Sequence, residues 1–211
     1  MKIWDLPTRF YHWLQALLFI GLVASGNSGE GPHLVLGLAL FTLVIWRVLW
    51  GVVGSETSQF KAFVASPKRV VSYLMGREKA QPGHNPAGSW MVVVLIVSLL
   101  MQCSTGIVIS GLLDNMPFAE TLLTDSAYDA SMAIHSLFAK VLQALVAVHL
   151  LAILVYKLRS KPLVWAMVSG KQKNTLDNPN AVLAFSSNKR ALLMLLAAGL
   201  VTMTIVVSSL V

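Results

Sequence analysis

The chain has 211 residues, of which 56% are hydrophobic and only 12% are charged. Soluble domains carry about 25% charged residues, so this composition excludes an ordinary water-soluble domain and indicates a lipid environment. The formal net charge of +7 needs no nucleic acid to explain it, because Lys and Arg beside membrane spans set topology and bind anionic lipid headgroups.

Five apolar stretches recur along the chain on the scale of the roughly 20 residues that a membrane helix needs. They run from Phe10 to Ala24, Leu34 to Val53, Trp90 to Leu113, Met132 to Tyr156, and Ala191 to Val211. We therefore predict an all-α integral membrane protein, with a four-helix transmembrane bundle and a fifth, C-terminal transmembrane helix. The first stretch imitates a cleavable signal peptide, but Asp5, Arg9 and His12 interrupt it, and we expect it to be retained.

The charged residues divide into two groups that orient these spans. Basic residues precede the first span and fill the second and fourth connections, whereas the first and third connections contain acidic residues and no Lys or Arg. The acidic residues are Glu30, Asp114, Glu120, Asp125 and Asp129. Because Lys and Arg are retained inside, we predict an inner-membrane protein with a cytoplasmic N-terminus and a periplasmic C-terminus.

Two smaller features complete this reading of the chain. Ser66 followed by Pro67 is a helix-start signal and predicts a short amphipathic helix at the interface, ending near Leu74. Cys103 lies in the third span as the one cysteine of the chain, so we expect a small core residue without an intramolecular disulfide.

Four of the five histidines fall in or beside predicted spans, where an ionisable side chain needs a partner or a function. His135 and His149 are fourteen positions apart, nearly four helical turns, so they share one face about 21 Å apart. In the predicted topology His12 is level with His149 on the cytoplasmic side, and His33 is level with His135 on the outer side. Two histidine pairs predict axial ligation of two b-type haems.

Two further sets of residues suit a haem, because small residues admit a flat ring and cations pair with its propionates. The candidates are Gly21, Gly37 and Gly106 for the ring, Arg9 and Arg47 for the inner propionates, and Lys140 for the outer ones. Close helix packing explains the glycines as well, and snorkelling or topology explains the cations, so both interpretations remain open.

A combination of motifs links the chain to a known family. The motifs are Trp4, Asp5, Arg9, His12 and Trp13; His33, Gly37, Arg47 and Gly51; Gly83, His84, Asn85 and Pro86; and His135 with His149. Together they resemble the prokaryotic cytochrome b561 family, and within it the branch of cytochrome b subunits of nickel-iron hydrogenases. The resemblance covers about the first 160 residues, whereas the fifth span departs from the simplest four-helix members.

The resemblance implies a four-helix core with bis-histidine haems that oxidises or reduces membrane quinones. It pairs His12 with His149 in the inner site and His33 with His135 in the outer site. With the apolar and charged segments that follow it, the chain is predicted to have three parts: a dihaem core over 1–160, which the resemblance covers, a cytoplasmic connection over 161–190, and a C-terminal transmembrane helix over 191–211. His84 is then an exposed or capping loop imidazole, or it lines a quinone site or relays protons beside the inner haem.

Filled axial positions keep substrate away from iron, so we expect an electron-transfer protein or a component of a quinone-linked oxidoreductase. It would link the quinone pool to a redox partner such as a periplasmic cytochrome c. A membrane-anchor cytochrome b subunit of a hydrogenase or thiosulfate reductase type complex is an alternative that the sequence does not separate. A haem-free metal transporter or scaffold is the alternative of another class.

Overall fold

The computed structural model describes residues 1–28, 31–77, 85–159, 163–172 and 183–210, and within these ranges the regular secondary structure is helical apart from an isolated bridge between Lys2 and Lys171. The helices in chain order are α1 (Leu6–Ser28), α2 (His33–Val53), α3 (Phe60–Phe63), α4 (Pro67–Leu74), α5 (Pro86–Ile109), α6 (Ala119–Leu122), α7 (Asp125–Leu158), α8 (Leu163–Ser169) and α9 (Asn188–Ser208). A 3-10 turn at Glu56–Ser58 precedes α3.

Four helices of the described chain, α2, α5, α7 and α9, are long and apolar enough to cross a bilayer. This finding confirms the predicted all-α membrane class. Helix α1 has 23 residues but is not one of the four, since Arg9, His12 and Gln15 make it less apolar. That α1 also crosses the membrane stays a prediction.

Local sequence signals explain where the helices begin. Asn85 caps α5 by accepting the Gly88 N–H at 2.7 Å, and Pro at the first helical position needs no N–H partner there. Helix α4 begins at Pro67 after Ser66, as predicted. Helix α7 begins at Asp125, seven residues before the predicted start, because Thr124 caps it and an acidic first turn suits the helix dipole.

Helix α2 lies at the centre of the bundle and packs against α1, α5 and α9, while α5 packs between α2 and α7. A core that includes Leu40, Val44, Leu99 and the buried, unpaired Cys103 fills the space between α2 and α5. Among the described helices, α7 packs extensively along α5 and has at most marginal contact with α1 or α2. The bundle therefore holds α7 apart from α1 and α2.

Polar contacts attach α9 to the bundle. The Thr42 and Thr202 hydroxyl oxygens are 2.7 Å apart, and the Trp46 indole N–H donates to the Ala191 carbonyl at 3.0 Å. These bonds join opposite ends of α9 to α2, so α9 is an integral part of this bundle.

The N-terminal residues fix the beginning of α1 against α8. The backbone N–H groups of Ile3 and Trp4 donate to the Gly170 carbonyl at 2.8 and 3.2 Å, and both side chains pack with Ala166. This contact places α8 beside the first turn of α1, where the predicted inner site begins.

Candidate haem site

The outer histidines face one another across the gap between α2 and α7. The ring centroids of His33 and His135 are 6.4 Å apart, and the ring planes are inclined by 76°. An imidazole nitrogen lies about 2 Å from a bound metal and about 1 Å from its own ring centre, so two trans imidazoles have centres about 6 Å apart. The observed separation matches that of two axial ligands on one iron.

A hydrogen bond from α1 holds the ring of His33. Its Nδ1 atom is 2.9 Å from the Ser25 hydroxyl oxygen, and that hydroxyl donates its own hydrogen to the Leu22 carbonyl at 3.3 Å. With the Ser25 hydrogen on that carbonyl, the Ser25 oxygen accepts from the His33 Nδ1–H, and Nε2 keeps the lone pair that a metal requires.

His135 is held in the same way by α5. Its Nδ1 atom is 3.0 Å from the Gln102 carbonyl oxygen and 3.1 Å from the Thr105 hydroxyl oxygen. A carbonyl can only accept, so Nδ1 carries the hydrogen and Nε2 is again the free ligand atom. Helices α1 and α5 thus orient the two histidines that α2 and α7 carry.

Among the described residues, the inner histidines lack the ring contact of the outer pair but lie within electrostatic range. His12 on α1 and His149 on α7 are close enough to interact electrostatically. Among the described residues, the buried His12 Nδ1 atom and the buried Gln15 Oε1 atom have no hydrogen-bond partner. A buried polar atom without a partner costs about 1–3 kcal/mol, so both atoms have hydrogen-bonding capacity that a bound group or a water molecule could satisfy.

The sequence comparisons agree with this geometry. The profile of the family described as prokaryotic cytochrome b561 matches residues 3–170, a segment that contains all four of these histidines. The chain belongs to the prokaryotic cytochrome b561 family. No curated protein and no solved structure gives a significant match.

Cytochrome b561 proteins are four-helix membrane bundles, and membership implies a b-type haem and transmembrane electron transfer. The matched segment ends after α8 and leaves α9 outside it. The residues between α7 and the α1–α2 pair fit such a group, because the two histidines of the outer pair have the separation and the free nitrogens that axial ligation needs.

Two glycines of this cytochrome b561 chain make room for the outer ligands. A Cβ added at Gly106 would lie 3.0 Å from His135 Cε1, and one added at Gly26 would lie 3.2 Å from His33 Cε1. The sequence indicated Gly106 as a contact of the haem ring, but the structure places it against the ligand ring. The sequence did not indicate Gly26, because this glycine lies in α1 whereas His33, whose ring it approaches, lies in α2.

The other two predicted glycines differ in their surroundings. A Cβ at Gly21 would meet Leu36 at 3.1 Å, so this glycine serves close packing of α1 on α2. A Cβ at Gly37 would meet no atom within 4 Å. Gly37, one turn after His33, therefore has open space beside it of the kind that a macrocycle needs.

Arg47 is the best placed of the predicted propionate partners. It follows His33 by fourteen residues, so it lies on nearly the same face of α2 and level with the inner pair. Its guanidinium is buried, donates to the Ser58 carbonyl at 3.2 Å and lies 5.1 Å from the Phe60 ring centroid. The loop after α2 thus holds this buried cation in place, and its contact with a propionate stays a prediction.

Arg9 and Lys140 are placed differently. Arg9 donates from Nη1 to the Val168 carbonyl, while its buried Nε has no partner among the described residues. Lys140 is exposed and follows His135 by five residues, which is about 140° around α7. A propionate contact by Lys140 therefore stays a prediction.

A hydroxyl cluster that the sequence did not predict lies at the C-terminal end of α7. The Tyr73 and Tyr156 hydroxyl oxygens are 2.7 Å apart, and the Asn85 amide donates to Tyr156 at 2.9 Å. Burial, followed by the hydrogen bond with Tyr156, raises the pKa of Tyr73 to about 12, so its hydroxyl stays protonated at physiological pH. His84 lies outside the described residues, and its predicted role stays a prediction.

Proposed function

We propose that this cytochrome b561 protein holds two b-type haems, one between His33 and His135 and the other between His12 and His149. It passes electrons between the membrane quinone pool and a redox partner such as a periplasmic cytochrome c. The observation that carries the proposal is the outer pair, whose ring centres are 6.4 Å apart and whose Nδ1 atoms are both bonded elsewhere.

The two sites lie at different depths because His135 and His149 project from one face of α7 about 21 Å apart along its axis. A b-type haem with both axial positions filled supplies reversible one-electron transfer without binding substrate at iron. The chain contributes ligation by four imidazoles, orientation through Ser25 and the Gln102 carbonyl, and a buried cation at Arg47.

The haem-free alternative is less well supported. Within the described ranges, no group of three or more His, Cys, Asp or Glu side chains is close enough to hold a bare metal ion. Protein sites for bare metal ions commonly use three or four such ligands, whereas a porphyrin iron needs only two from the protein. Histidines that occur in pairs therefore favour haem over a transported metal.

The purified protein tests this proposal through its haem content. We expect a reduced-minus-oxidised spectrum of b type and a pyridine haemochrome assay that gives two haem b per chain. One haem per chain would contradict the two-site arrangement. A colourless protein would overturn the proposal and favour the transporter or scaffold.

We place quinone exchange at the cytoplasmic end, beside Tyr73 and Tyr156. Tyr156 follows His149 by seven residues, so it lies on the same face of α7, about 10 Å further inward. Neutral hydroxyls that stay protonated can donate hydrogen bonds to quinone oxygens and exchange protons with them.

Removing one hydroxyl tests this placement. Tyr73→Phe should slow haem reduction by a quinol analogue in vesicles, with a raised KM, because the Tyr156 hydroxyl loses its neighbour. The matched control is Tyr128→Phe at the opposite end of α7, whose hydroxyl donates to the Ile109 carbonyl. Equal rates in the two variants would place the quinone elsewhere.

One structural feature supports a periplasmic cytochrome c as the redox partner. Asp114, Glu120, Asp125 and Asp129 are all exposed at the predicted outer end, where a basic soluble cytochrome would be steered by charge. A subunit of a larger oxidoreductase remains the second candidate.

A further inference from the structure

A buried carboxylate that the haem proposal does not use lies at the beginning of α1. Asp5 is only 3% exposed, and its Oδ1 atom accepts the Thr8 N–H at 2.7 Å, as a helix cap does. Its Oδ2 atom accepts the indole N–H of Trp50, from α2, at 3.2 Å. Hydrogen bonds from two helices therefore hold the Asp5 carboxylate inside the protein.

Further hydrogen bonds connect this carboxylate to Arg47. The Thr8 hydroxyl oxygen lies 2.7 Å from the Ser58 hydroxyl oxygen and accepts from the Trp50 indole N–H at 3.2 Å. The Ser58 carbonyl in turn accepts from the Arg47 guanidinium at 3.2 Å. Thr8 and Ser58 are also buried, so a continuous polar network runs through the interior from Asp5 to Arg47.

Asp5 and Arg47 carry opposite charges in the same interior. Arg47 is 4% exposed and lies within electrostatic range of Asp5. Its hydrogen bond and its ring contacts are with neutral groups, the Ser58 carbonyl and the rings of Phe60 and Phe63. A buried charge is costly unless an opposite charge compensates it. Asp5 therefore supplies a counter-charge for Arg47 from within the chain.

This pair lies near the predicted inner haem. Asp5 precedes His12 by seven residues, which is about 10 Å along α1. The fourteen-residue spacing of Arg47 from His33 makes it level with the inner histidines. Over such distances a charge in a water-poor interior acts more strongly than an exposed charge, which water and salt screen.

We infer that Asp5 is a positioning residue that holds Arg47 in place as its counter-charge and thereby lowers the midpoint potential of the inner haem. A nearby negative charge stabilises the oxidised iron, which is the more positive state, relative to the reduced iron. A lower potential at the inner haem favours electron flow from it to the outer haem. The inference rests on the proposed haem sites, and its test measures haem content separately from potential.

Single-haem backgrounds assign the effect to one site. His33→Ala should retain only the inner haem and His149→Ala only the outer one, and each is titrated potentiometrically with and without Asp5→Asn. Asn keeps an acceptor for the Thr8 N–H and removes the charge. The midpoint potential should rise in the His33→Ala background and stay unchanged in the His149→Ala background.

Two carboxylate variants separate charge from structure. Asp5→Glu retains the charge, so it should keep the inner potential close to that of the unsubstituted residue. Glu56→Gln is the matched control, because Glu56 is an exposed carboxylate two residues before Ser58 and accepts the Ala184 N–H. Its removal should shift the inner potential much less than Asp5→Asn does, since solvent screens its charge.

Arg47→Gln tests the pair from the other side. It should lower the inner potential, and the double variant of Asp5→Asn and Arg47→Gln should lie between the two single variants. An inner potential that Asp5→Asn lowers or leaves unchanged, equal shifts at both haems, an equal shift in Glu56→Gln, or loss of the inner haem from Asp5→Asn would each overturn the inference. Absence of haem from the unsubstituted protein would instead contradict the proposed function.

Discussion

Ser25 and Thr105 show how single residues prepare the histidines of this cytochrome b561 protein. Within the described residues, Ser25 is the hydrogen-bond partner of His33 Nδ1, whereas His135 Nδ1 contacts both Thr105 and the Gln102 carbonyl. An acceptor for Nδ1–H fixes the ring and makes the ligand more basic. The two sites therefore differ in how much they depend on one hydroxyl.

Substitution of Ser25 should alter the outer haem. Ser25→Ala leaves His33 Nδ1–H without its acceptor, so the imidazole becomes less basic, the oxidised iron is less stabilised, and the midpoint potential rises. Haem affinity should fall by about 10- to 100-fold. Potentiometric titration of the b-type absorbance measures the first effect.

Thr105→Ala is the control for that titration, since the Gln102 carbonyl still accepts from His135 Nδ1–H. The midpoint potential should shift clearly less in Thr105→Ala than in Ser25→Ala. A lower potential in Ser25→Ala, or equal shifts in the two variants, would contradict the assigned role of Ser25.

The fourteen-residue spacing between His135 and His149 was enough to predict their shared face, because helix geometry is periodic. The partners of those histidines were not predictable in the same way. Ser25 and Gly26 act on His33 from α1, and Thr105 and Gly106 act on His135 from α5. Contacts between helices leave no periodic signal in either helix alone.

At the scale of elements, α7 stands apart by its length and its exposure. It has 34 residues and packs chiefly along α5, so one side is available to the predicted haems and another side carries Lys140. The sequence predicted its apolar part but not its outer turns, where Ser, Ala and acidic residues resemble a loop in composition. The Thr124 side chain caps the helix, so α7 begins at Asp125 and includes these outer turns.

Helix α9 should add stability without contributing to the haem sites. Thr202→Val removes the hydroxyl contact with Thr42 on α2, so the free energy of unfolding should fall by about 0.6 kcal/mol, a typical value for one membrane hydrogen bond. Thermal loss of the haem absorbance in detergent measures the change. The visible spectrum before heating should be unchanged.

The matched control is Thr204→Val, because the Thr204 hydroxyl donates only to the Leu200 carbonyl of its own helix. It should cause no comparable loss. A loss of haem from Thr202→Val at low temperature would mean that α9 takes part in the sites.

For the whole molecule, composition and hydropathy were sufficient to predict the membrane class and the number of long helices. Composition and hydropathy did not decide whether α1 crosses the membrane. Arg9 and His12, which are predicted to belong to the inner site, also lower the hydropathy of this helix. The family match over residues 3–170 extends past the predicted end of the core at residue 160. That extension includes α8, which packs against the N-terminal residues Ile3 and Trp4.

The number of crossings has a measurable consequence for topology. If α1 crosses with the other four helices, the termini lie on opposite sides, and the positive-inside rule places the C-terminus outside. Alkaline phosphatase fused after Val211 should be active, and a green fluorescent protein fused there should be dark. A fusion after Arg77, in a basic connection, should show the opposite pattern.

A fluorescent C-terminal fusion would contradict this topology and place α1 at the surface of the membrane. His12 could then still meet His149 at the cytoplasmic end, but the four-helix core would need another explanation.

The central claim is that the four histidines act as two couples, and the haem content of paired substitutions measures this directly. Each of His12→Ala, His149→Ala, His33→Ala and His135→Ala should leave one haem b per chain. The double variant of His12 and His149 should also keep one haem, as should that of His33 and His135, whereas the double variant of His33 and His149 should keep none. A haem-free protein from either matched couple, or one remaining haem in the crossed variant, would contradict the account.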